Sequence, residues 1–440
     1  MSALGIAILA PLLWMVAFAS RRGALVAVFA GLLYLTMGQT VNFFGIDLYA
    51  TRLLMLATFL RVVSRGEFAS SQLNGLDKTL LLVFGYRAVV FVVNSNGSPM
   101  TEIGYFVDTF LAYFAFRGLI RETGDLKFLL TCAPLLLLPY AALSAVERWT
   151  GSNVFASLGG VPGRILERDG IPRAAGSFTH PSIFGTLGAI LLPLYIAFAF
   201  DVRNHVPVLI GMASCAMIVF VSNSGGPATA AAMAILGWFA WRLRMQMRLL
   251  RWLLVSALVF LAVIMKAPIW YLPAKISALL GGDGWHRSYL MQVTFEHLGD
   301  WWFAGMSVLE TKDWFPYVVV TGGADIINYY LEFGIAAGLP AMILFIFFLA
   351  TLFGRLGAAM QVVRSRGSGN LGDERILWGL GVALFVHLVN WFAIVYFDKM
   401  HLILCMQLAA TSSLVSSVGR LENVSAAWEM RRPTLSEMHH

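Results

Sequence analysis

Charged residues are scarce. Asp, Glu, Lys and Arg make up only 12% of the 440 residues, while 59% of the chain is hydrophobic. A soluble domain of this length could not keep so much apolar surface from water, and the mean hydropathy of +0.75 assigns the chain to a membrane. Cysteine is nearly absent. Cys132, Cys215 and Cys405 all fall in apolar stretches and are odd in number, which argues against a disulfide framework and shows no thiolate metal spacing. No HExxH-like spacing occurs either, so neither a metal nor a cofactor is expected. The net charge of +7 is not concentrated on one face but scattered in short clusters between apolar segments, which argues against a nucleic-acid partner. Internal repeats and low-complexity runs are missing, and one membrane domain over 1–440 is expected.

What the chain does have is a series of apolar stretches. A hydrocarbon core of about 30 Å takes roughly 20 residues of helix per crossing. Apolar character that is continuous rather than alternating predicts helices instead of membrane strands. The expected spans are 3–19, 23–38, 49–63, 78–94, 103–117, 127–145, 181–200, 205–222, 227–242, 251–266, 329–353, 376–396 and 401–417. The first is not read as a cleavable signal, because Arg21 and Arg22 follow it and no basic residue precedes it.

Simple alternation of these spans puts Arg21/Arg22, Arg61/Arg65, Arg117/Arg121/Lys127, Arg203, Arg242 to Arg251, Arg355 to Arg375 and Arg420 on one side. By the positive-inside rule that side is cytoplasmic, with the N-terminus outside and the C-terminus cytoplasmic. Two long segments, 146–180 and 267–328, then lie outside. Their tryptophans suit an ordered cap at the membrane interface.

Those outer segments break the charge rule. Arg148, Arg164, Arg168, Arg173, Lys266, Lys275, Arg287 and Lys312 are all external. Neighbouring acids such as Glu147, Glu167 and Asp300 could neutralise them on a solvated surface. Alternatively, the guanidinium forks bind an anion such as a diphosphate. Arg173 is the leading candidate, because a phosphate held there would also meet the amide groups of the helix opening at Pro181. Ser177 and Thr179 are expected to cap that helix, and His180 to serve as a structural hydrogen-bond donor.

Arg287 opens a helical run in the second segment, with His286 and His297 as possible bases. In the third stretch, a helix over 325–329 would align Asp325, Asn328 and Tyr329 on one face at the membrane boundary, for catalysis or as a cap and interface anchor. Within the bilayer, Arg87 and Asp108 lie at similar depth. They are expected to pair, the alternative being that Arg87 faces a lipid-phosphate groove.

Three stretches together resemble the O-antigen ligase and polymerase superfamily of bacterial membrane glycosyltransferases. They are Arg173 with GSFTHPSIFG at 176–185, Arg287 followed by DWWFAG at 300–305, and DIINYYL at 325–331 followed by EFGIAAGL. The resemblance implies an all-α polytopic, GT-C-like membrane protein of about 12–13 transmembrane helices with a periplasmic helical cap. It implies an undecaprenyl-diphosphate-linked oligosaccharide donor at the periplasmic face of the inner membrane, and transfer without metal or nucleotide sugar. Arg173 and Arg287 would hold the diphosphate, with Arg164, Arg168, His180, His286, Asn328, Tyr329 and Arg87 as further substrate contacts.

Ligases of the family carry histidine where Ile327 stands. Asp325 is therefore the expected base, and polymerisation of surface or exopolysaccharide units is favoured over transfer to the lipid A core of lipopolysaccharide. A flippase for the same lipid would call for polar groups near the midplane and a repeated half, and the sequence offers neither.

Overall fold

The structure, a computed structural model, describes all residues except 44–45, 69–72, 169, 276–283, 315–318, 321–322, 368–370 and 431–440; the side chains of 43, 46–47, 319–320 and 421–430 are also left aside. Each expected apolar run is helical over most of its length, although 35–38 and 391–396 lie outside their helices. Helices α1 (Ala3–Phe18), α2 (Arg21–Tyr34), α3 (Ala50–Ser64), α4 (Gly75–Val93) and α5 (Pro99–Leu119) lead to α6 (Thr123–Cys132) and α7 (Pro134–Thr150). Then come α8 (Pro181–Ala199), α9 (Val206–Ser222), α10 (Gly225–Phe239) and α11 (Met247–Ile264). The cap holds α12 (Gly284–Glu296) and the single turn α13 (Leu298–Trp301). The chain closes with α14 (Tyr329–Ser365), α15 (Leu371–Asn390) and α16 (Met400–Met430).

By length and apolarity alone, four helical runs among the described residues can cross a membrane: Pro181–Ala199, Gly225–Ile264, Tyr329–Ser365 and Met400–Arg420. The pair α5 and α6, bent by 101°, makes a fifth candidate. The surface supports a membrane setting. No residue of α11 is buried, and Trp252, Leu253, Leu254, Phe260 and Ile264 are all exposed, a face that only lipid or another apolar surface could cover.

The core is built around α8, which packs against α9, α10 and α15. A Cβ at Gly188 would stand 2.4 Å from the Cys215 carbonyl, so only glycine lets α9 come this close. Basic clusters from distant parts of the sequence meet at one end of the bundle. Arg21 and Arg22 grip Asp125, Arg117 grips Asp77, Lys127 reaches Asp201 and Asp373, and Arg244 and Arg364 share Glu374.

The opposite end carries the cap, which seats on a break in α14. Ala337 and Gly338 leave helical geometry, Gly338 at φ +85°. The carbonyls freed there are taken by Met306 N–H, 2.8 Å from Ile335 O, and Asn96 Nδ2, 2.9 Å from Ala336 O. Trp301 is fully buried beneath, donating its indole N–H to the Thr294 carbonyl at 2.9 Å.

Several expectations are corrected. Arg87 and Asp108 do not pair. Arg87 lies between Glu102 (2.8 Å) and Glu332 (2.6 Å), while Asp108 takes Arg52 at 2.6 Å. Equal depth in the bilayer does not fix which way a helix face points, and α4 turns Arg87 toward α14.

The segment 325–328 is not helical. Helix α14 starts at Tyr329 because Asn328 caps it, its Oδ1 accepting from Tyr330 N at 3.1 Å and Leu331 N at 3.2 Å. Asp325 therefore shares no helical face with Asn328 and Tyr329. Tyr329 is no interface anchor either, being buried with its hydroxyl 2.5 Å from that of Tyr105.

Helix α8 is capped by His180, whose Nδ1 accepts from Ser182 N at 3.1 Å, and not by Ser177 or Thr179. The expected span 127–145 divides at Pro134, which has no N–H to continue the ladder. Short antiparallel ribbons also form, at β1 (Thr40–Phe43) with β2 (Ile46–Tyr49), β3 (Leu166–Arg168) with β4 (Ile171–Arg173), and β5 (Val319–Val320) with β6 (Gly323–Ala324).

Candidate functional site

The arginine site starts from the β3–β4 ribbon, turned by Gly170 at φ +73°. Its register pairs Leu166 with Arg173, Glu167 with Pro172 and Arg168 with Ile171. Directly paired residues share a face and neighbours alternate. Arg168 and Arg173 therefore stand on one face and Glu167 on the other.

The last turn of α7 holds this ribbon in place from both sides. Arg148 donates to the Pro172 carbonyl at 3.0 Å. Glu147 is fully buried, its carboxylate accepting from Ala175 N at 2.8 Å and Gly176 N at 2.9 Å.

Arg173 is buried, and among the described residues its guanidinium donates only to oxygens of serine. It donates to Ser224 Oγ at 2.7 Å, Ser182 Oγ at 3.3 Å and the Ser222 carbonyl at 3.5 Å. Among the described residues no carboxylate pairs with it. Burial, and then the nearby Arg168 charge, push its pKa below the usual arginine value. The same causes act on His180, where burial and then Arg173 and Arg168 lower the pKa to about 4, so the ring is neutral at neutral pH.

From this site a groove of about 850 Å³ runs between α8, α9 and α10. Arg168, Asn223 and Ser224 form its head, and Leu192, Ala216 and Ile235 its far wall. The distance from Ser224 to Ile235 along α10 is about 16 Å, roughly one leaflet of hydrocarbon.

A second cavity, of about 580 Å³, opens beside the same loop. Its walls carry the Arg52–Asp108 pair, the Arg87–Glu102–Glu332 cluster and the Tyr105–Tyr329 hydroxyl pair, with Asp398 and His401 closing it. Asp108 lies nine positions into α5, which makes the cavity about 14 Å deep. The partition from the arginine site is a single loop. Thr179 N–H donates to Asp398 Oδ2 at 2.8 Å, and the His180 ring stands 6.2 Å from that of Phe397.

Next to it Lys399, in the connection between α15 and α16, is fully buried. Its ammonium donates to Ser177 Oγ at 2.7 Å and to the carbonyls of Leu33 and Leu35, and lies 4.6 Å from the centre of the Phe178 ring. Burial lowers its pKa to about 7, with Asp398 opposing.

The residues singled out from sequence fall into three groups. Arg173, Arg168 and His180 come together, while Arg164 is exposed, its backbone bridged to Ser152. Asp325 and His286 are near each other in the cap, Asp325 on the segment before α14 and His286 in α12 next to the half-buried Arg287. Burial raises the Asp325 pKa, and His286 opposes that rise. Arg87 and Tyr329 line the second cavity, with Asn328 beside them as the α14 cap.

Sequence reading missed the segment Asp398–His401 altogether. Its signal was the charged and imidazole run DKMH between two apolar helices, on the side where alternation had put the other candidate loops. Comparison with protein-family models and with curated proteins finds no match for the chain.

Proposed function

We propose that the chain is a metal-independent, GT-C-like glycosyltransferase of the bacterial inner membrane. It would take an oligosaccharide on undecaprenyl diphosphate at the periplasmic face and polymerise surface or exopolysaccharide repeat units. One observation carries the reading: Arg173 is a buried guanidinium with no carboxylate partner among the described residues, and it donates to Ser224, which with Arg168 lines the head of an apolar groove between helices. An uncompensated buried charge costs several kcal/mol, so a bound anion would relieve the site. A fork of N–H donors matches diphosphate oxygens, and the groove matches the isoprenoid chain behind them.

The rest follows from this placement. The end opposite the basic clusters would be periplasmic, by the positive-inside rule. Arg168, on the same ribbon face, would take the second phosphate, and Arg287 of the cap would close over the leaving diphosphate. Charge growing on the departing phosphate is then met by fixed cations in a site of low polarity, which is where such stabilisation is strongest.

The test is reconstitution in liposomes with lipid-linked repeat units, with and without lipid A core. A ladder of lengths from the donor alone supports polymerisation, and a single core-dependent product means a ligase. Movement of unaltered donor across the bilayer means a flippase and overturns the reading.

A further inference from the structure

Among the described residues, the wall of the second cavity holds one ring nitrogen without a hydrogen-bond partner. Each carboxylate in its wall is engaged. Asp108 holds Arg52, Glu102 and Glu332 hold Arg87, and Asp398 accepts from Thr179 N and Lys399 N. His401 differs. Its Nδ1 lies 2.8 Å from the Asp398 main-chain carbonyl, an oxygen that can only accept. Nδ1 therefore carries the proton, and in the neutral ring the lone pair is on Nε2. That atom is buried and has no hydrogen-bond partner among the described residues, in a side chain that lines the cavity. The Tyr105 ring, 5.2 Å away, holds the imidazole in place.

We propose that this cavity admits the acceptor glycan and that His401 Nε2 is the general base of the transfer; the assignment rests on the glycosyl-transfer reading. Tyrosine rings beside paired acids and arginines are suited to a sugar, offering apolar faces and both kinds of hydrogen-bonding group. In the step, the acceptor hydroxyl oxygen bonds to the anomeric carbon of the donor while the bond from that carbon to the diphosphate oxygen breaks. The bonding pair leaves with the polyprenyl diphosphate. The hydroxyl proton passes to Nε2, and the imidazolium keeps its Nδ1–H on the Asp398 carbonyl until Nε2 returns the proton to solvent. Fixing one ring nitrogen on an acceptor so that the other is the base is how a histidine is oriented for proton transfer. Asp398 and Phe397 in the cavity wall touch the Thr179–His180 loop that borders the arginine site, so acceptor and donor would approach each other at that loop.

The experiment compares wild type, His401→Gln, His401→Asn and Asp325→Asn in liposomes supplied with the lipid-linked donor, scoring donor binding, turnover and the pH profile. The asparagine variant keeps an amide N–H for the Asp398 carbonyl and so preserves the local fold. The expected result is unchanged donor binding, a 10²- to 10⁴-fold loss of turnover in both histidine variants with the acid limb of the profile abolished, and an active Asp325→Asn. Wild-type turnover and profile in His401→Asn overturn the assignment, as does a loss of the acid limb in Asp325→Asn alone. If wild type binds donor yet forms no product, the glycosyl-transfer reading fails and takes this one with it.

Discussion

Asp398 accepts the backbone N–H of Thr179 at 2.8 Å across 219 residues of sequence. The same carboxylate takes the N–H of Lys399, and its residue sits in the left-handed region at φ 59°. One aspartate therefore ties the connection before α16 to the loop before α8, where the arginine site and the second cavity adjoin.

Removing it should loosen that junction. Asp398→Ala orphans two partly buried donors and places alanine at positive φ, for a loss of about 1–3 kcal/mol, while Asp398→Asn keeps an acceptor and tolerates the backbone. Thermal unfolding in detergent should rank wild type above Asn above Ala. Equal midpoints would mean that the link carries no stability.

Lys399 makes stability depend on pH. Its folded pKa is near 7, against about 10.4 for an exposed lysine. Between those values the unfolded chain binds more protons, so stability rises with pH across that window. The burial penalty is fully felt below pH 7. Relative to Lys399→Met, wild type should gain thermal stability between pH 6.5 and 9.5. A gap that does not change with pH would refute the buried charge.

Gly338 is where the cap meets the bundle. A Cβ there would lie 2.3 Å from the Phe303 carbonyl at φ +85°, so alanine is excluded on both counts. Gly338→Ala should undock the cap and speed proteolysis within Leu298–Asp313, while Gly354→Ala, with open space around it, should not. Identical digestion of the two variants would contradict this account of the α14 break.

The ion pairs can be assigned by double-mutant cycles. Arg52→Met with Asp108→Asn should show coupling, and Arg87→Met with Asp108→Asn should be additive to about 0.5 kcal/mol. Arg87→Met alone leaves Glu102 and Glu332 without their cation and should cost about 3–5 kcal/mol. Coupling of Arg87 to Asp108 would restore the pairing expected from depth.

Apolar continuity made the helices legible, because each expected run is helical over most of its length and the basic clusters do meet at one end. Side-chain direction was not. Arg87 chose Glu332, 245 residues away, and no local spacing announces a partner on α14. At Asp325 the helical period was extended one turn too far, past the asparagine whose side chain starts the helix. The Arg168–Arg173 ribbon had a sign that went unread, an Asp-Gly pair between two short runs. His401 showed only as the imidazole that ends DKMH, since its lone pair acquires meaning only through a carbonyl folded back beside it.

The central claim is that Arg173 holds the diphosphate of a polyprenyl lipid. Its most direct test is equilibrium binding of undecaprenyl diphosphate to the purified protein, with undecaprenol, the alcohol of the same chain, as the uncharged control. Wild type should prefer the diphosphate, and Arg173→Ala should lose at least tenfold in affinity for it alone, with Arg173→Lys recovering only part. Undiminished diphosphate binding by a folded Arg173→Ala protein would contradict the account.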